Sequence, residues 1–200
     1  MDWLFGSAKE DYKQSINRNT VVTEITQNIN FSGVKYARYV IGRAEYLEYI
    51  DLSNWDVSSC ENMDNFINNC PRLKSIGDIS YWNTQNLRTC NNFLGNLGLS
   101  SNYDTLESLD VSHWNTPELR TASNFVSGKI RTLDISNWDT SKITSFSVGN
   151  TMKYIIMDKD EIKFNGSYIM PNPNVNCKYL VPEDWVDDYK QHPNWVSRAS

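Results

Sequence analysis

Four aspartates recur at one position of a repeated motif, and they are the residues with the clearest potential for chemistry. They are Asp51, Asp78, Asp110 and Asp134, and a ladder of carboxylates at repeat spacing could bind calcium. Like charges stacked at repeat spacing repel each other unless they are compensated. Aspartate side chains also accept hydrogen bonds from neighbouring backbone N–H groups, the commoner use of a repeated Asp and Ser pair. We therefore predict a structural role for these aspartates and no metal site.

The cysteines are spaced too widely to form a metal site. Cys60, Cys70, Cys90 and Cys177 lie 10, 20 and 87 residues apart, which fits neither a CxxC metal motif nor a dense disulfide framework. Free cysteine is among the most buried residue types. We predict that all four are small buried hydrophobic residues, as expected of a chain that folds in a reducing environment.

The two histidines belong to different elements, so they cannot be paired from the sequence. His113 directly precedes a repeated tryptophan and His192 precedes Pro193, which predicts surface or turn positions for both. The chain has no glycine-rich phosphate loop, GxSxG motif or HExxH motif. The sequence therefore predicts a protein that is not an enzyme, with no catalytic residue and no cofactor.

An internal repeat with four clear copies would position these residues. Each copy begins with apolar residues at alternating or nearly alternating positions, which predicts a strand. The second copy has one additional residue, Gly77, as a β-bulge would have. The copies are LEYIDLSNWDV at 47–57, LKSIGDISYWNT at 73–84, LESLDVSHWNT at 106–116 and IRTLDISNWDT at 130–140.

A tryptophan follows each predicted strand, and successive tryptophans are 27, 32 and 24 residues apart. Apolar residues at plus five and plus eight have helical spacing, which predicts a turn and a short helix or 3₁₀ segment after each strand. An aromatic residue within such a repeat is typical of the core, so we predict buried tryptophans and not a platform for a ligand. The tryptophans are Trp55, Trp82, Trp114 and Trp138, and at plus eleven the first three copies have Phe66, Phe93 and Phe125.

The predicted fold class is an α/β solenoid, a short leucine-rich-repeat stack with a strand and a turn or short helix in each repeat. We expect an N-terminal arm or anchor at 1–20, an N-terminal cap or degenerate repeat at 21–46, repeats at 47–150, and a repeat remnant with a capping helix at 151–200. The degenerate repeat is based on Phe31, with Tyr36 and Tyr39 at plus five and plus eight.

Two kinds of loop signal complete this prediction. Residues 95–102 have the composition of a loop that projects from one face of the stack. Asparagine is abundant and is predicted to lie in turns, because it tolerates left-handed backbone conformations. The asparagines in question include Asn62, Asn65, Asn68, Asn69, Asn91 and Asn92.

The repeat cores IDLSNWDVS and LDISNWDTS resemble the BspA-type leucine-rich repeats of bacterial surface proteins, whose units have approximately the sequence LDLSNWDVSNVTNMSYMF. The resemblance covers about residues 45–148, and the tail LVPEDWVDDYKQHPNW is similar to the closing segment of such proteins. It implies binding: adhesion to host matrix or cells, or display on surfaces that include bacteriophage particles. No catalytic residues carry over. Neither end of the sequence resembles a signal peptide, a lipobox or a sorting tail, and there are only four clear repeats, so we do not expect the cell-wall role of the bacterial adhesins.

The composition argues against nucleic-acid and membrane partners. The formal net charge is −5 and the basic residues are scattered, so we expect no electrostatic attraction to a phosphate backbone. No stretch approaches the roughly 20 apolar residues that cross a bilayer, and the first residues do not resemble a secretion signal. We therefore expect no nucleic-acid binding and no membrane insertion.

The first functional hypothesis is a bacteriophage virion protein, made in the host cytoplasm and displayed on the virion surface as a capsid or tail accessory. Its partners would be capsid or tail proteins or a host surface receptor, with a carbohydrate as an alternative ligand. A bacterial surface adhesin located outside the cell and a cytosolic protein-interaction scaffold are the alternatives. The candidate binding face comprises the residues expected to point outward from the strands: Glu48, Tyr49, Asp51, Glu107, Ser108, Arg131 and Thr132.

Overall fold

The computed structural model describes residues 23–25, 31–98, 105–157 and 177–191. In these residues the chain winds into a β-solenoid of about five turns with almost no helix. The strands are β1 (Glu24–Ile25), β2 (Ile41–Gly42), β3 (Tyr49–Ile50), β4 (Ile67–Asn68), β5 (Leu94–Gly95), β6 (Thr121–Ala122), β7 (Thr132–Asp134), β8 (Ser145–Phe146), β9 (Tyr154–Ile156) and β10 (Lys178–Leu180). The solenoid is confirmed, whereas the predicted α/β composition is wrong.

All strand pairs among the described residues are parallel and join neighbouring turns. These pairs lie on three faces of the stack. Face A contains β1 and β3, with a bridge from Tyr49 to Ser75, and then β7, β9 and β10. Face B contains β6 and β8 and the bridges that join Tyr36, Asn62, Thr89 and Thr121 in order. Face C contains β2, β4 and β5.

The core contains two columns of stacked aromatic residues, one of Trp82, Trp114 and Trp138 and one of Phe66, Phe93 and Phe125. The ring centroids of Trp82 and Trp114 are 6.1 Å apart, and those of Trp114 and Trp138 are 6.0 Å apart. Phe93 stacks on Phe125 at 5.3 Å and packs edge-on against Trp114 at 5.4 Å. Offset stacks and edge-to-face pairs are the favoured aromatic geometries. The predicted core role of the repeated tryptophans is confirmed, since all four are buried.

Three of the four repeated indoles also tie two turns together through their N–H groups. Nε1 of Trp82 donates to the Leu52 carbonyl at 3.1 Å, and Nε1 of Trp114 donates to the Ile79 carbonyl at 2.9 Å. Trp138 donates in the same way to Val111 at 3.2 Å. The buried polar atom of each of these three tryptophans is therefore satisfied by the preceding turn.

The predicted helical segments are absent from the repeats, and in the first three repeats left-handed residues interrupt the backbone there. The residues at plus five, eight and eleven are buried as predicted, but their spacing follows the three-sided winding of the chain. Two columns of residues with positive φ turn the backbone at the corners, and isolated left-handed residues cannot continue an α-helix. These are Asn65, Asn92 and Asn124 in one column, and Asn69, Asn96 and Gly128 in the other. The predicted turn role of the asparagines is thus confirmed for Asn65, Asn69 and Asn92.

The degenerate repeat has a different register from the predicted one. Phe31 is buried and stacks on Trp55 at 4.6 Å. Tyr36 is 57% exposed, because it pairs with Asn62 on face B, and Ala37 faces the core in its place. The residue that faces the core is therefore Ala37, one position after the predicted Tyr36. A shift of one residue in a strand exchanges the side chains on its two faces.

The other predicted loop and cap are also corrected. Residues 95–98 belong to the stack: Gly95 is in β5 and Leu97 is buried, while 99–104 lie outside the described residues. After β10 a 3₁₀ turn, Glu183–Trp185, leads into the short helix α1, Val186–Gln191.

This C-terminal segment does not support the predicted capping helix. Trp185 packs against the core but is only partly buried. All three residues of the 3₁₀ turn are described, and none of them is fully buried. The predicted arm at 1–20 and His192 lie outside the described residues. Within the described ranges, no helix has the length and apolar character needed to span a membrane.

Candidate binding face

The structure places all seven predicted binding residues along face A. Six are exposed, and Glu48 is half-buried. Tyr49 lies in β3 and Thr132 in β7. Glu107 and Ser108 lie between them in the third repeat, where residues 105–111 form no strand although all are described. Face A is therefore divided into an N-terminal sheet of β1 and β3 and a C-terminal sheet of β7, β9 and β10.

The N-terminal part of face A combines an ion pair with an aromatic ring. Lys74 Nζ lies 2.7 Å from a Glu48 carboxylate oxygen and 5.7 Å from the centroid of the Tyr49 ring. Tyr49 is 45% exposed. Sequence reasoning missed Lys74, although it has the same position in its repeat as Glu48.

The C-terminal part of face A presents a second exposed tyrosine that sequence reasoning also missed. Tyr154 is 40% exposed and pairs with Thr132 of β7 and Lys178 of β10. Nη1 of Arg131 donates to the Thr151 carbonyl at 3.1 Å. The signal for Tyr154 was present in the segment MKYIIM, whose apolar alternation continues the repeat beyond residue 150.

The repeated aspartates form hydrogen-bonded turns at the end of face A, as predicted. Oδ1 accepts the backbone N–H of the residue two positions later: from Ser53 to Asp51 at 3.0 Å, and from Ser80 to Asp78 at 2.9 Å. The third and fourth copies make the same bond, from Ser112 to Asp110 at 3.0 Å and from Ser136 to Asp134 at 2.9 Å. The described residues hold no group of three or more His, Cys, Asp or Glu side chains that could bind a metal ion.

These hydrogen bonds change the acidity of the first two aspartates. Donation from the Ser53 side chain and backbone lowers the pKa of Asp51, and donation from Ser80 lowers the pKa of Asp78 in the same way. Because the donors stabilise the charged form, these carboxylates stay ionised at neutral pH. The structural role predicted for the aspartates is confirmed by these contacts.

Gly77 allows two of these turns to stack in contact. Its φ is +75°, and a Cβ atom there would approach Asp51 Oδ1 to 2.4 Å and Ser53 Oγ to 2.6 Å. The backbone N–H of Asp78 donates to Ser53 Oγ at 2.8 Å. The extra residue of the second repeat is therefore accommodated by a left-handed glycine lying directly over the Asp51 turn.

The cysteines are free, and all four are buried. Burial raises the pKa of Cys60 to about 12 and the pKa of Cys70 and Cys177 to about 11. Burial raises the pKa of Cys90 as well. Because the thiolate is the reactive form, these groups are poor nucleophiles, and their predicted role as small buried hydrophobic residues is confirmed.

A groove at the corner between faces A and B is a second candidate site. It encloses about 420 Å³ between the turns of Trp55 and Trp82, and its polar lining includes Asn54, Asp56 and Asn83. Tyr81 borders it and stacks on His113, with ring centroids 4.4 Å apart. His113 has the exposed turn position that the sequence predicted.

One family model matches the chain, in two successive segments, residues 4–100 and 97–165. Its description is "Mycoplasma protein of unknown function, DUF285". No curated protein and no solved structure gives a significant match. The two segments span well over half of the 200 residues and include the four tryptophan repeats. The chain therefore belongs to the DUF285 family.

Proposed function

We propose that the protein is a non-enzymatic binding protein that uses face A to hold a partner protein. The observation that carries this proposal is the pair of exposed tyrosines, Tyr49 and Tyr154, at either end of one face. Tyrosine and arginine are enriched at the centres of protein interfaces. Both kinds of residue lie on this face, since Arg131 is exposed one position before β7.

The charges on face A favour a partner with mixed charge. Glu48, Lys74, Glu107, Arg131 and Lys153 have the same position in successive turns. Such a column of both signs steers and orients a complementary protein surface. It offers little to a uniformly anionic polymer, for which a continuous basic stripe is needed.

We further propose that this binding occurs at a bacterial surface. The repeats resemble the BspA-type leucine-rich repeats, a family associated with adhesion, and the matching family is described as Mycoplasma protein. That description supports a location on a bacterium. A location on a virion is supported only by the general resemblance of the repeats to the BspA type. Protease treatment of intact bacteria, followed by mass spectrometry of the released peptides, tests the location. Recovery of the protein only in purified phage particles would replace the adhesin proposal by the virion hypothesis.

Binding through face A is tested by labelling the purified full-length protein and measuring its attachment to intact host cells by flow cytometry. We expect the double variant Tyr49→Ala/Tyr154→Ala to lose at least about tenfold in affinity, since interface tyrosines commonly contribute more than about 1 kcal/mol each. Tyr36→Ala is the matched control, because Tyr36 is exposed on face B. Equal attachment by the double variant and the wild type would contradict the proposal.

A further inference from the structure

The residue before each repeated tryptophan forms an exposed column at the corner between faces A and B. This column contains Asn54, Tyr81, His113 and Asn137. Tyr81 is 75% exposed, an unusual exposure for a large aromatic side chain. His113 covers one side of its ring at a centroid distance of 4.4 Å. A tyrosine in this position offers a rigid aromatic surface to a ligand.

The Tyr81 ring also borders the groove. The groove is lined by residues of the turn that contains Trp55 and the turn that contains Trp82, whereas His113 belongs to the following turn. The smaller Asn54 occupies the Tyr81 position one turn earlier, so the ring has open space beside it. The volume of about 420 Å³ falls within the range of about 300 to 1000 Å³ that small-molecule sites have.

The polar groups of the groove suit neutral hydroxyl groups. Asn54 lines the groove, and its side chain forms no hydrogen bond among the described residues, so its amide can both donate to and accept from a ligand. Asn83 Oδ1 accepts the Gln85 backbone N–H at 3.3 Å, which leaves its amide N–H groups for a ligand. The Asp56 carboxylate accepts the Ser58 N–H at 3.0 Å and also bonds from the Ser58 and Ser32 side chains. Because a carboxylate has roughly four acceptor positions, it can still accept from a ligand hydroxyl.

The charge of the groove excludes a phosphorylated ligand. Asp56 and Asp78 line it, and none of the described residues that line it is a lysine or an arginine. Hydrogen bonds from serine residues lower the pKa of both aspartates, so the groove is anionic at neutral pH. A nucleotide could stack on Tyr81, but its phosphates would be repelled.

We propose that this groove binds a neutral pyranose sugar, which stacks its apolar C–H face on Tyr81 and donates and accepts hydrogen bonds at Asn54, Asp56 and Asn83. Sugars combine an apolar ring face with a rim of hydroxyl groups, and the groove presents one aromatic surface with amide and carboxylate groups beside it. This inference is independent of the protein-binding proposal, because Tyr81 and Asn54 lie at the corner and not on face A.

Saturation-transfer difference NMR on the full-length protein tests the proposal, with methyl β-D-galactopyranoside and methyl β-D-glucopyranoside as probes at millimolar concentration. Mannitol is the control probe, because it has the hydroxyl groups but no ring face. We expect transfer to the ring C–H protons of at least one pyranoside and none to mannitol. Absence of transfer to both pyranosides, or equal transfer to mannitol, would overturn the proposal.

Three variants assign the binding to the groove. Tyr81→Ala should weaken pyranoside binding about two- to tenfold, because an aromatic contact contributes about 0.5 to 1.5 kcal/mol. Tyr81→Phe should retain it, since the ring surface remains, and Asn54→Ala should weaken it by the loss of hydrogen bonds to the sugar. Tyr36→Ala, at an exposed tyrosine on another face, should bind like the wild type. Equal pyranoside binding by Tyr81→Ala and the wild type would place the sugar elsewhere and overturn the assignment, whatever the result of the cell-attachment experiment.

Discussion

Faces A and B are built from the same repeat but are stabilised in different ways. On face B a continuous series of parallel pairs runs from Tyr36 through Asn62 and Thr89 to Thr121 and β8. On face A the series is divided, because residues 105–111 of the third repeat form no strand. This segment lies within the longest separation between successive tryptophans, the 32 residues from Trp82 to Trp114.

The two faces also differ in how their side chains connect the turns. At the end of face B, Asn91 Nδ2 donates to Asp64 Oδ1 and to Thr121 Oγ1, both at 3.0 Å, and Asn91 Oδ1 accepts the Ser123 N–H at 2.8 Å. One asparagine thus connects three turns. Among the described residues, face A presents the exposed Tyr49 and Tyr154 and the Lys74–Glu48 ion pair, whereas face B presents Tyr36 and the Lys35–Glu61 ion pair. We infer that face B contributes more than face A to the stability of the stack. The binding proposed for face A would then use residues held by a rigid scaffold.

The largest effect is expected in the core that both faces share. Trp114→Ala should lower the free energy of unfolding by about 3 to 5 kcal/mol, as large-to-small changes of buried aromatic residues do. Trp114 is fully buried, stacks on two other tryptophans and donates to the Ile79 carbonyl. Chemical denaturation measures the change, and Tyr81→Ala is the exposed control. A loss below about 1 kcal/mol would show that Trp114 is not a core residue.

A smaller effect is expected where two turns of face A touch. Gly77→Ala should cost about 2 to 3 kcal/mol, because a left-handed alanine costs about 1 to 2 kcal/mol and its Cβ would also collide with Asp51 and Ser53. Gly33 is the matched control: its φ is +77°, and a Cβ atom there would meet nothing within 4 Å. The difference between the two variants in thermal and chemical unfolding isolates the steric contribution. Equal costs would mean that the Asp51 turn moves aside without penalty.

The comparison of the faces is tested most directly by removing one polar side chain from each. Asn91→Ala removes three side-chain hydrogen bonds between turns and should cost about 2 kcal/mol, since each bond contributes about 0.5 to 1.5 kcal/mol. Arg131→Ala removes one exposed bond on face A and should stay within about 0.5 kcal/mol of the wild type. Urea denaturation of both variants gives the two values. Similar losses would contradict the proposed difference between the faces.

The sequence predicted the features that repeat in every copy, because the frame itself fixes them. The tryptophans are buried and the aspartates accept hydrogen bonds from serine N–H groups, as their recurring positions indicated. The helix prediction was wrong because apolar residues three apart occur both on an α-helix and on a three-sided β-solenoid. The asparagines at 65, 92 and 124 were the signal that distinguishes the two, since each has the left-handed conformation that ends a helix.

The features that depend on contacts between particular turns could not be predicted from one copy of the repeat. The exposure of Tyr36 depends on its pairing with Asn62, and the ring of Tyr81 is held by His113 in the next turn. The seven predicted residues of face A were placed on one face, but Lys74 and Tyr154 became apparent only from their neighbours across the sheet.

The smallest effect concerns the pH dependence of stability at the aspartate turns. Hydrogen bonds from serine side chains and backbone lower the pKa of Asp51, Asp56 and Asp78 in the folded protein. A carboxyl group whose folded pKa lies below its unfolded value of about 3.9 stabilises the fold above that pH. This stabilisation is lost as the pH falls through the folded pKa.

We therefore expect the urea midpoint to be constant from pH 7 to pH 5 and to fall below about pH 4, where these groups begin to bind protons in the unfolded chain. Asp78→Asn keeps an oxygen that accepts the Ser80 N–H but does not titrate, so its midpoint should fall less steeply with acid than that of the wild type. Asp187→Asn, at an exposed position in α1, is the matched control and should follow the wild type. An identical acid dependence of Asp78→Asn and the wild type would show that the Ser80 hydrogen bonds do not distinguish the charged carboxylate from a neutral acceptor.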